Sequence, residues 1–81
     1  HFGAEARALV DFYRERSKEE PRHRLGLARA YVRLSKPSLA LVQYKALEEA
    51  GPLSPLVREE LAQVFEKLNK PELARQLRAT R

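Results

Sequence analysis

Residues 27–40 read LARAYVRLSKPSLA, and residues 61–74 read LAQVFEKLNKPELA. Laid over one another at an offset of 34, they bring Leu27 onto Leu61, Ala28 onto Ala62, Tyr31 onto Phe65, Leu34 onto Leu68 and Ala40 onto Ala74. The connecting turn coincides too, with Ser35-Lys36-Pro37 falling on Asn69-Lys70-Pro71. Two unrelated amphipathic helices would share some apolar positions, but they would not carry the same turn at the same offset. The chain therefore holds an internal repeat of period 34, and a period in this range marks repeated units that bury their apolar faces on their neighbours.

Working outward, prolines and glycines divide the chain into five segments of helical character. The first, about residues 3–17, sets Ala6, Leu9, Val10 and Tyr13 at spacings of three and four, which makes one apolar stripe. The second runs over about residues 21–34 from Pro21, a residue suited to the first turn, and aligns Leu27, Ala28, Tyr31 and Leu34. The third, 37–50, aligns Ala40, Tyr44 and Leu47 and stops at Gly51-Pro52. The fourth opens on Ser54-Pro55, a capping serine before a first-turn proline, and carries Val57, Leu61, Val64, Phe65 and Leu68. The fifth, about 71–79, carries Leu73, Ala74 and Leu77. No run alternates with the period of two that a strand needs, so the class is all-α, and the short connections predict antiparallel neighbours.

Composition sets the bounds. With 81 residues there is room for one small domain, and with no cysteine neither a disulfide nor a thiolate metal site can brace it. Hydrophobic residues at 43% make it too apolar for a disordered chain, and charged residues at 33% make it too polar for a membrane span. The start at His1-Phe2-Gly3, without methionine, predicts a fragment of a longer protein, for which a cytoplasmic setting is favoured.

An enzyme is not expected. His1 and His23 stand far apart with no recurring carboxylate at ligand spacing, and Gly3, Gly26 and Gly51 are isolated, so neither a metal site nor a phosphate loop is spelled out. The pairs Glu19-Glu20, Glu48-Glu49 and Glu59-Glu60 are adjacent in sequence, which on a helix points the two carboxylates about 100° apart and makes no acid/base dyad. No catalytic residue, metal or cofactor is assigned.

The repeat resembles the tetratricopeptide family, whose pattern asks for leucine and a small residue, an aromatic, an alanine, a second aromatic and a proline. Leu27, Ala28, Tyr31, Ala40, Tyr44 and Pro52 stand in that order and spacing, with Arg24 in place of the opening tryptophan and Ala28 in place of the glycine. The second unit supplies Leu61, Ala62, Phe65 and Ala74, but Arg78 takes its second aromatic position. Ala6 lies 34 residues before Ala40, so the first helix reads as the trailing half of an earlier unit. The resemblance implies antiparallel helix pairs stacked into a right-handed superhelix of about five helices. Its parts would be a trailing helix over 3–20, a repeat over 21–53 and a closing repeat over 54–81. The alanines would let helices approach, and Tyr31, Tyr44 and Phe65 would pack between them.

Residues 21–36 hold five Lys or Arg and no acid, and Arg22, Arg29, Arg33 and Lys36 share one helical face. In the family, the first helix of each pair lines a concave groove where peptides dock. By resemblance the groove positions are Arg22, Leu25, Arg29, Val32 and Arg33 in one unit and Leu56, Glu59, Gln63, Glu66 and Lys67 in the next. The family's clamp for a terminal carboxylate is not reproduced, because Leu25, Arg29, Glu59, Glu60 and Gln63 fall where its lysines and asparagines would be.

The expected function is protein–protein interaction, as a scaffold or adaptor segment of a bacterial-type protein. The partner would be an acidic or amphipathic peptide or helix, with Arg29 and Arg33 meeting its carboxylates and Leu25 and Val32 its apolar side. Nucleic-acid binding through the arginine-rich second helix is the alternative, motivated by a pI near 10.0 and opposed by Glu48, Glu49, Glu59, Glu60 and Glu66. A third reading is a homodimer through open repeat ends, since the first helix would expose part of its stripe and Arg75, Arg78 and Arg81 would form a solvated end.

Overall fold

The computed structural model describes residues 2–19 and 23–79, and within them the chain is all-helical, with five helices and no strand. They are α1 Phe2–Glu19, α2 Arg24–Arg33, α3 Pro37–Ala50, α4 Pro55–Lys67 and α5 Pro71–Ala79. Each packs on the next along the chain, giving a body of 34 × 27 × 16 Å. The second helix begins at Arg24 after a single turn-like residue, His23, while Pro21 lies outside the described residues.

The repeat of the sequence is also a repeat of backbone geometry. Ser35 and Asn69 both lie in the left-handed region, at φ 58° and 60°. Around the first, Ser35 N–H bonds Val32 O at 3.0 Å and Lys36 N–H bonds Tyr31 O at 2.9 Å; around the second, Asn69 N–H bonds Glu66 O at 3.0 Å and Lys70 N–H bonds Phe65 O at 2.9 Å. Left-handed closure of this kind satisfies carbonyls that a helix end leaves unpaired. Proline then takes the first position of α3 and of α5, where its missing N–H costs nothing.

The other boundaries have equally local causes. Ser54 caps α4, its Oγ accepting from Val57 N–H at 3.3 Å. Gly51, at φ 166°, is in ordinary extended backbone, so α3 ends because Pro52 cannot continue it rather than because a left-handed residue is required.

Small residues set the helix spacing. Ala28, Ala40, Ala62 and Ala74 are all buried, and Tyr31, Tyr44 and Phe65 fill the space they leave, as the residue pattern predicts. Val10 of α1 joins the same core, which runs unbroken to Ala74 of α5. The stripe of α1 is more covered than its sequence implies: Ala6 and Val10 are buried against the body, Leu9 and Tyr13 are partly open, and Phe12, outside that stripe, is 45% exposed. Among the described residues, no helix is long and apolar enough to cross a membrane.

Candidate interaction groove

Helices α2 and α4 each turn one face into a shared groove of about 470 Å³, flanked by α1. On α2, Arg29, Val32 and Arg33 follow one another at spacings of three and one; on α4, Glu60, Gln63, Val64 and Lys67 recur at three and four, so each set lies on one side of its helix. Leu9 and Tyr13 of α1, with Ala30 and Val64, supply the apolar lining. Tyr44 of α3 reaches in beside Glu60.

Glu60 is tied to two other helices at once. Arg29 donates Nε–H to its Oε1 at 2.9 Å and Nη2–H to its Oε2 at 2.7 Å, a two-point fork from α2. The buried Tyr44 hydroxyl of α3 donates to Oε1 at 2.7 Å. These bonds, led by that from Arg29, hold the Glu60 carboxyl below the usual carboxylate range despite its partial burial. Burial, with Glu60 adding to it, pushes the Tyr44 phenol up, so it remains a donor. Hydrogen bonding to Glu60 raises Arg29 further above its already high value.

The charges of Arg29 and Glu60 thus cancel inside the groove. Arg33 and Lys67 are different: both are exposed at the rim, and neither has a hydrogen-bond or ion-pair partner among the described residues. They occupy the same position of the 34-residue repeat.

Of the residues assigned to a groove from sequence, Arg29, Val32, Arg33, Gln63 and Lys67 come together here. Leu25 lies in a separate shallow depression with Leu47, Leu53 and Val57. Leu56 is 66% exposed on the first turn of α4 and lines no part of the groove. Glu59 and Glu66 are held instead by Arg78 of α5, at 2.8 and 2.9 Å. Arg78 is therefore engaged rather than a simple solvated end, and it lowers both carboxyls from their ordinary value. Arg22 and Arg81 lie outside the described residues.

Sequence reasoning put Glu60 at a clamp position of the family but left it out of the partner-binding set, and gave Tyr44 only a packing role. A signal for Glu60 existed in the repeat, since it stands where the first unit has Gly26. Its partners were not readable, because Arg29 and Tyr44 reach it from other helices. Among the described residues, no group of three His, Cys, Asp or Glu could hold a metal ion. Compared with protein families, curated proteins and solved structures, the chain finds no match.

Proposed function

We propose that the chain is a tetratricopeptide-type repeat segment, two units preceded by the trailing helix of an earlier one, that binds an acidic amphipathic segment of a partner protein in the groove between α1, α2 and α4. The observation that carries this reading is the pairing of an apolar lining, Leu9, Val32 and Val64, with two cations, Arg33 on α2 and Lys67 on α4, whose side chains have no partner among the described residues. The repeat assignment is supported by turns at 35 and 69 that share the same two closing bonds, and by the four buried alanines at repeat-related positions. A cationic rim over an apolar floor fits an amphipathic acidic chain, with carboxylates on the rim and aliphatic side chains below.

The test is a titration of a leucine- and glutamate-rich peptide followed by NMR of the Val32 and Val64 methyl groups. Those signals shift on binding, and charge reversal at Arg33 and Lys67 together weakens the complex about tenfold, in keeping with loss and inversion of two charge contacts. Absence of any methyl shift at saturating peptide would sink the reading.

Nucleic-acid binding is the second reading, favoured by Lys36 and Lys70, whose side chains also lack partners among the described residues and which sit in the two equivalent turns beside Arg33 and Lys67. A labelled duplex and single strand titrated across a range of salt separates the two, since phosphate contacts give a steep dependence of log affinity on log salt.

A further inference from the structure

Arg29 offers the groove a planar fork beside a hydroxyl donor, and the Nε–Nη2 edge of that fork is already filled by a carboxylate that offsets its charge. Both arms of its fork and the Tyr44 hydroxyl are spent on Glu60, whose side chain is only 22% exposed. We propose that Glu60 is a built-in occupant of this carboxylate position, so that a partner's acid is read by Arg33 and Lys67 and not by Arg29. The inference rests on the groove reading above and adds to it which cations select the partner.

Competition explains the selectivity. A partner carboxylate at the Nε–Nη2 edge would have to displace one that is covalently tethered nearby, whose effective concentration far exceeds that of a free ligand, and at the Nη1 edge it would meet a guanidinium whose charge Glu60 already offsets. Displacement would also strip a half-buried Glu60 of its two Arg29 donors, leaving a charge poorly solvated. Arg33 and Lys67 carry no such competitor among the described residues.

The first unit closes the corresponding position differently. Gly26 stands where the second unit has Glu60, and the Tyr13 ring lies over it, with ring carbons 2.5 Å from where a Cβ would be. One end of the groove is therefore aromatic, and the other is closed by an internal ion pair whose charges cancel. The partner this fits is an amphipathic segment of a protein that places an aliphatic side chain against Leu9 and Tyr13 and a carboxylate between Arg33 and Lys67.

The experiment uses the whole 81-residue chain and two labelled synthetic peptides on one leucine-containing amphipathic repeat, with glutamate or glutamine at the polar positions. The wild type prefers the glutamate peptide, and Arg33→Gln with Lys67→Gln abolishes the preference while the glutamine peptide binds as before. Glu60→Gln raises the glutamate preference about threefold, the scale of one added charge contact near the surface. The Arg29 Nε–H signal stays still when the glutamate peptide binds the wild type and moves when it binds Glu60→Gln.

An Arg29 signal that moves in the wild type, or a preference that survives loss of Arg33 and Lys67, overturns the proposal. So does a Glu60→Gln change that alters both peptides alike, because a purely structural role would do that. Tighter binding of a DNA duplex than of the glutamate peptide makes the occupant a nucleic acid and also overturns it. If the Val32 and Val64 methyls do not respond to either peptide, the groove reading itself fails; if they respond without any preference for glutamate, only this inference does. Arg33 and Lys67 are exposed and their side chains have no partner among the described residues, so their double variant keeps the test open even if Glu60→Gln proves unstable.

Discussion

Ser35 and Asn69 share one left-handed backbone conformation, φ 58° and 60°, at equivalent points of the two turns that reverse the chain. Asparagine tolerates this region and serine less so, while glycine adopts it without steric cost. Ser35→Gly is therefore expected to stabilise the fold by about 0.5–1 kcal/mol and Asn69→Gly by less, whereas Ser35→Val destabilises it. Chemical denaturation of the three variants checks the order.

Gly26 carries a second steric prediction. An alanine there gains about 1 kcal/mol of helix propensity but drives its Cβ into the Tyr13 ring. That ring is held edge-on against Phe12 at 5.2 Å between centroids and lies 6.0 Å from the His23 ring, so it cannot swing aside freely. Gly26→Ala is expected to destabilise by about 1–2 kcal/mol in the native background and to stabilise once Tyr13 is replaced by alanine. A double-mutant cycle in urea measures the reversal.

Glu60 should leave a mark on the pH dependence of stability. Its carboxyl is lowered from 4.5 on folding, chiefly by Arg29, so its contribution is complete above that value and is lost as pH falls through the folded one. The stability difference between wild type and Glu60→Gln is thus expected to be constant from neutral pH to about 5 and to shrink below it. Glu60→Leu is expected to cost about 1–2 kcal/mol at neutral pH, because the buried Tyr44 hydroxyl loses its acceptor.

Arg78 ties α5 to α4 through two exposed carboxylates, Glu59 and Glu66. Because all three groups face solvent, the contribution is small and screened by salt. Arg78→Gln is expected to lower the melting temperature slightly in dilute buffer and by nothing measurable in molar salt. Thermal melts at both ionic strengths decide it.

Ser54→Ala removes the one side-chain cap seen at a helix start among the described residues. A loss of about 1 kcal/mol is expected, recovered in large part by Ser54→Asp, and denaturation of the pair measures both.

Much of the fold was open to reading because its causes are local. Helix limits at Pro37, Pro55 and Pro71, the cap at Ser54 and the buried alanines follow from residues a few positions apart, and the period of 34 ties them into one pattern. The groove was only half legible. Helical spacing placed Arg29, Val32 and Arg33 on one face, and Gln63 and Lys67 on another, but it could not say which neighbour each face meets.

The amino-acid sequence by itself determined the number of helices, where they turn, and the small and aromatic residues between them. Tertiary structure alone decided which charges are spent and which are free. Arg29 finds Glu60 across 31 positions and Arg78 finds Glu59 across 19, pairings that depend on how each helix is rotated about its axis. One residue of rotation is about 100°, enough to exchange a neutralised arginine for a free one, and that rotation is set by packing over the whole core. This is why, among the described residues, Arg33 and Lys67 rather than Arg29 line the groove as cations with no side-chain partner.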